Sequence, residues 1–258
     1  MRDLTVSLLQ TELAWEEPAD NRRHFGEMIE GLSTATDVIV LPEMFTTGFS
    51  MNALGNAEEV AGPTELWMQS IARARDCAVT GSIAVRDAGS VYNRMLFITP
   101  KNSLYYDKRH LFRMAGEHKR YAAGDQRVIA TWRDWRINLQ VCYDLRFPVF
   151  SRNRGDYDLM LYVANWPSSR RNHWRQLLIA RAIENQAYVV GVNRIGSDAR
   201  GLEYSGDSLV VAADGELLCD ALRENGAASI TLNGTALLKY REDFPCHLDA
   251  DAFQVADS

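Results

Sequence analysis

The stretch Ile137-Asn138-Leu139-Gln140-Val141-Cys142-Tyr143-Asp144-Leu145-Arg146-Phe147-Pro148 reads as a strand that delivers Cys142 into a turn, before a helix that begins near Pro148. A reactive residue set where a strand gives way to a helix is the pattern of layered α/β proteins, which place sites at sheet ends. Outward from it, short apolar runs rich in β-branched residues recur at 4–9, 38–41, 78–85, 95–98, 159–164 and 188–192. Runs apolar on both faces predict buried central strands. Between the first two, Asp20 is placed to cap a helix whose Phe25, Met28, Ile29 and Leu32 share one apolar face, since they fall at i, i+3, i+4 and i+7. A second helix is expected from Pro63 and a third over 173–186, leading straight into the strand at Tyr188. Residues 208–211, 217–219 and 229–232 read as a meander, closed by a helix from Gly234. Strands alternating with helices, then hairpins, predict an α/β layered sandwich rather than a barrel. With no repeat or linker to split it, residues 1–258 are expected to form a single domain.

The 258 residues hold 28 Lys and Arg against 34 Asp and Glu, a formal net charge of -6. A chain of this length buries enough apolar surface to fold without disulfides or metals. Its acidic balance leaves no basic stripe for a phosphate backbone and no attraction to anionic membranes, so neither is expected as a partner. Asp3 stands where a signal peptide would begin its apolar stretch, and no segment approaches the ~18 apolar residues of a membrane span. A cytoplasmic protein is expected.

Cys77, Cys142, Cys219 and Cys246 are far apart and form no C-x-x-C pair, so neither a disulfide framework nor a zinc site is predicted. His110 and His118, eight residues apart, do not have metal-ligand spacing. No metal and no cofactor is expected.

Three segments end a strand on a reactive side chain. In Val38-Ile39-Val40-Leu41-Pro42-Glu43 the apolar run and the proline hold a carboxylate at the strand terminus, flanked by Met44 and Phe45. Partial desolvation there suits a general base, although such a glutamate equally fits a helix cap or an arginine partner. In Tyr105-Tyr106-Asp107-Lys108-Arg109-His110-Leu111-Phe112, Lys108 follows a short aromatic strand. A lysine usually snorkels to water, but one aimed into a cleft would stabilise an oxyanion. Cys142 is followed at once by the polar Asp144 and Arg146, which marks a mouth rather than a core. A helix N-terminus beyond it would lower the thiol pKa. Cys77, Cys219 and Cys246 read as ordinary small hydrophobes. Together Glu43, Lys108 and Cys142 supply a base, an oxyanion stabiliser and a nucleophile.

Leu41-Pro42-Glu43, Asp107-Lys108-Arg109-His110-Leu111 and Cys142-Tyr143-Asp144-Leu145-Arg146-Phe147-Pro148 resemble, in order and spacing, the Glu-Lys-Cys signature segments of the nitrilase superfamily of carbon-nitrogen hydrolases. The resemblance runs from Leu4 to about Pro245 and takes in Ala164-Asn165-Trp166-Pro167 and Asn193-Arg194-Ile195-Gly196. It implies a four-layer αββα sandwich, paired with a second subunit through helices as a homodimer or a higher homo-oligomer. It also implies that Glu43 is the base, Lys108 the oxyanion lysine, Cys142 the nucleophile and Glu117 a second glutamate that holds Lys108 or the hydrolytic water. Cys142-Tyr143-Asp144 looks like the omega-amidase branch, which hydrolyses the side-chain amide of 2-oxoglutaramate, rather than the Cys-Trp-Glu of true nitrilases.

A small-molecule substrate with a distal carboxylate needs a cation to meet it. Arg170 is the first choice, because it follows the strand end at Asn165-Trp166-Pro167; Arg146 and Arg171 come next, Arg146 being as well placed to pair with Asp144. Tyr143 and Trp166 complete the expected substrate-binding set. A carbon-nitrogen hydrolase of other specificity, such as one acting on N-carbamoyl amines, and a non-catalytic interaction protein on the same fold are the rival readings.

Overall fold

The computed structural model describes residues 1–33 and 35–255. Two sheets face one another. The first runs in the order Gly226–Leu232, Leu4–Gln10, Val38–Val40, Ala78–Asp87, Ser90–Ile98, Ser103–Asp107, with the short Glu58–Glu59 strand also paired to Ala78–Asp87. The second runs Leu217–Asp220, Leu209–Val211, Tyr188–Asn193, Leu159–Ala164, Trp135–Val141, Ile129–Trp132.

The side-chain period of two divides each strand between two cores. Leu4, Val6 and Leu8 point inward and meet Ile137, Leu139 and Val141 from the other sheet. Leu9, Ile39, Leu41 and Val79 point outward, where Phe25 and Ile29 of helix Pro18–Glu30 and Met68 and Ala72 of helix Pro63–Arg75 cover them. On the far side, Met160, Tyr162 and Ala164 pack under Trp174, Leu178 and Ala182 of helix Arg171–Asn185. Burying such side chains is worth about 1.5–3 kcal/mol each, so every layer is fixed by its neighbours. The result is the helix–sheet–sheet–helix sandwich that the sequence resemblance implies.

Three local expectations are corrected. Asp20 does not cap the first helix: Pro18, with its preset φ, starts it earlier, and Asp20 lies in the first turn 3.0 Å from Arg23. The third helix begins at Arg171 after a 3-10 turn over Ser168–Arg170. The C-terminal strands are not a meander, for Gly226–Leu232 leaves its neighbours and pairs antiparallel with Leu4–Gln10 in the other sheet. That pairing covers an otherwise open edge, brings Ile230 and Leu232 opposite Val6 and Leu4, and joins the Ser7 and Ser229 hydroxyls at 2.7 Å.

Candidate active site

Four strands end on the residues that build the site. Val38–Val40 and Ser103–Asp107 of the first sheet lead to Glu43 and Lys108, while Trp135–Val141 and Leu159–Ala164 of the second lead to Cys142 and Asn165. The site therefore lies where the carboxyl ends of strands from both sheets meet. Two of the turns carry backbone strain. Met44 (φ 44°) and Cys142 (φ 46°) occupy the left-handed region, which non-glycine residues rarely adopt. Gly81 on the adjacent strand makes room for the first turn, since a Cβ there would stand 2.8 Å from Leu41 Cβ.

Lys108 and the two glutamates are withdrawn from solvent. Lys108 Nζ donates to Glu43 Oε1 at 2.9 Å and to both Glu117 oxygens at 3.0 Å. Asn93 Nδ2 donates to Glu43 Oε1 at 2.8 Å and to Glu117 Oε1 at 3.3 Å. The other Glu43 oxygen accepts from the Asn165 backbone N–H at 2.8 Å. Glu117 Oε2 also accepts from the Phe112 backbone N–H at 2.6 Å, which ties the loop over the cleft to the lysine.

Burial pulls the Lys108 ammonium down, but Glu117 and Glu43 outweigh it and the net shift is upward. Lys108 stays a cation. Burial raises the Glu117 carboxyl, with Lys108 opposing and Glu43 reinforcing. The Cys142 thiol is pushed well up by burial and then by Glu43, with Lys108 acting the other way. The expectation that a helix N-terminus lowers it therefore fails. Cys142–Arg146 is a 3-10 turn and Pro148–Ser151 a helix of one turn, too short to offset two neighbouring carboxylates.

Cys142, Glu43 and Lys108 sit in a cleft of about 320 Å³. Its walls include Tyr143, Arg146, Trp166 and Arg170, together with Phe49, Phe112, Arg200 and Tyr204. The Arg146 guanidinium lies 4.7 Å over the Trp166 ring and that of Arg170 lies 5.5 Å over Phe112. Among the described residues neither has a carboxylate partner, and the Arg146 guanidinium is lowered by burial and by Arg170. Arg146 does not pair with Asp144, whose oxygens accept from Tyr106 and His110. Arg171 turns away to Asp207, with Nε at 3.0 Å.

Asn93 escapes a sequence reading because nothing distinguishes a buried strand asparagine from an exposed one. Asn165, Phe49 and Arg200 reach the cleft only through the fold.

Residues 5–240 match the carbon-nitrogen hydrolase family, and the chain belongs to it. It is 49% identical over 260 residues to the omega-amidase YafV of Escherichia coli K12, covering 99% of this chain and 100% of that one. The 2-oxoglutaramate amidase of Bacillus subtilis is 33% identical over 247 residues, with 93% and 95% covered. A crystallised CN-hydrolase superfamily protein of Xanthomonas campestris, carrying an arsenic adduct in its active site, superposes with a TM-score of 0.97 at 46% identity, covering 99% of this chain and 100% of that one.

Proposed function

We propose that the protein is a cysteine-dependent omega-amidase. It hydrolyses the omega-amide of a small dicarboxylic acid monoamide, such as 2-oxoglutaramate, to the acid and ammonia. The observation that carries this reading is one cleft with Cys142, Glu43 and Lys108 inside it and, on its wall, Arg146 and Arg170, which have no carboxylate partner among the described residues. Full-length similarity to an omega-amidase and a 2-oxoglutaramate amidase supports it.

In this reading Glu43 takes the thiol proton as Cys142 Sγ attacks the amide carbon. A raised thiol pKa requires such a base, because little thiolate exists beforehand. Lys108, kept positive by its two glutamates, and the Tyr143 backbone N–H stabilise the tetrahedral oxyanion. Collapse breaks the C–N bond, Glu43 returns its proton to the departing ammonia, and the acyl group stays on Cys142 as a thioester. Water, deprotonated by Glu43, attacks the thioester; the thiolate leaves and recovers the proton. Glu117 holds Lys108 in place. Arg146 and Arg170 receive the distal carboxylate, a charge-assisted pairing that also relieves their mutual repulsion.

The chain acts as one cytoplasmic catalytic unit, at least dimeric. No helix among the described residues is long and apolar enough to cross a membrane. Ile183 and Leu217 remain 48% and 39% exposed on the outer layer, apolar surface that a second copy would cover. Sedimentation at micromolar concentration tests the assembly, and a clean monomer would contradict it.

Ammonia release from 2-oxoglutaramate, set beside glutamine and asparagine, tests the activity. Strong preference for 2-oxoglutaramate is expected. Carbon dioxide released with ammonia from an N-carbamoyl amine, and no turnover of 2-oxoglutaramate, would favour the carbamoyl hydrolase instead. An enzyme inert to all of these, with Cys142 unlabelled by thiol reagents, would return the protein to a non-catalytic role.

A further inference from the structure

We infer that Asp144 and His110 are positioning residues whose hydrogen bond sets the placement of Cys142 against Lys108. This rests on the reading of Cys142 as nucleophile and Lys108 as oxyanion cation. The two residues come from different sheets, and their main chains are joined by no strand pairing: Ser103–Asp107 and Trp135–Val141 belong to separate sheets. Something else must fix the gap between them. The Asp144 carboxylate, wholly buried, spans it.

On the nucleophile side, Asp144 Oδ2 accepts from the Val141 backbone N–H at 2.9 Å, so the carboxylate brackets Cys142 from the residue before it to the second residue after it. This clamp holds the strained φ of 46° at Cys142. On the lysine side, the same carboxylate accepts from Tyr106 Oη at 2.8 Å, from the His110 backbone N–H at 3.0 Å and from His110 Nδ1 at 2.7 Å. Tyr106 and His110 stand two residues either side of Lys108. One carboxylate therefore grips both chains on either side of their functional residues. The His110 ring is held in turn by stacking on Phe147 at 4.0 Å, which follows the nucleophile turn. Neither Asp144 nor His110 lines the cleft, so neither contacts the substrate there. Their effect is geometric, and a misplacement of about 1 Å between reacting groups costs on the order of a hundredfold in rate.

Two substitutions separate the hydrogen bond from the packing. His110→Phe keeps a ring to stack on Phe147 but removes the Nδ1 donor. His110→Asn discards the ring but returns an amide N–H close to the Nδ1 position. With 2-oxoglutaramate, His110→Phe is expected to lose at least about tenfold in kcat with KM within about twofold, and His110→Asn to recover most of the loss. Tyr106→Phe, which removes one hydroxyl from a packed ring, is expected to lower kcat severalfold at unchanged KM and decides the matter if the His110 variants do not fold. An unchanged kcat in His110→Phe, or no recovery in His110→Asn, would overturn the inference. Cys142→Ala run in the same assay keeps the two readings apart: residual turnover there sinks the nucleophile itself, whatever the His110 variants do.

Discussion

Lys108 Nζ and Glu43 Oε1 lie 2.9 Å apart, and neither side chain reaches solvent. In the proposed reaction the base and the oxyanion cation are thus already paired before substrate arrives. The contact helps keep Lys108 charged, while Asn93 and the Asn165 backbone N–H orient Glu43. Burial and the neighbouring glutamates disfavour a free thiolate at Cys142, which assigns the proton transfer to the moment of attack.

Replacing Lys108 by Met keeps the length and removes the charge. The oxyanion should lose about 3 kcal/mol, or roughly a hundredfold in kcat, while KM changes much less. The variant should also be less stable by about 3–5 kcal/mol, since Glu43 and Glu117 are left buried without a counter-charge. Steady-state kinetics with a thermal melt checks both. Lost affinity at unchanged kcat would mean that Lys108 anchors the ground state.

Thiol alkylation reports the raised Cys142 pKa. A thiol acid is unreactive below its pKa, so lifting that value above the ordinary 9.0 moves reactivity to more alkaline pH. Iodoacetamide labelling of Cys142, followed by peptide mapping, should still be climbing as pH passes 9.0. Lys108→Met should slow labelling further at a given pH, because the charge of the lysine favours the thiolate. A plateau well below that pH would indicate a preformed thiolate–ammonium pair.

Selectivity should reside in the arginines. Arg170→Ala should sharply reduce activity on 2-oxoglutaramate, by a few kcal/mol in kcat/KM, since the substrate carboxylate would lose a partner in the cleft. Hydrolysis of a small uncharged amide should change little. If both substrates suffer alike, Arg170 is structural; if neither does, the carboxylate is met by Arg146 or Arg200, the remaining guanidiniums on the cleft wall.

Much of this was legible in the chain because strand termini leave clear traces. An apolar run closed by Pro42-Glu43, an aromatic run closed by Lys108 and a run closed by Cys142 each mark a place where the backbone leaves a sheet. The partition into two sheets was less legible: residues 229–232 read as part of a local meander, yet the strand Gly226–Leu232 that contains them pairs with Leu4–Gln10, far away in the chain. Long-range pairing has no local signature. Side-chain destinations were least legible of all. Arg146 and Arg171 look equivalent in sequence, but one stacks on Trp166 in the cleft while the other is taken by Asp207. Asn93 needed its buried register between two glutamates before it could be noticed.

Rapid acid quenching of the enzyme during turnover of 2-oxoglutaramate, followed by intact-mass and peptide analysis, traps the proposed thioester on Cys142. A mass increase equal to the acyl group left after loss of ammonia, located on the Cys142 peptide, is predicted, together with its decay once substrate is exhausted. Cys142→Ala should show neither adduct nor turnover, and Cys142→Ser should be nearly as inactive, since Glu43 is poorly matched to a hydroxyl. Ammonia release by Cys142→Ala above trace level, or an adduct mapped to another residue, would exclude Cys142 as the acylated nucleophile.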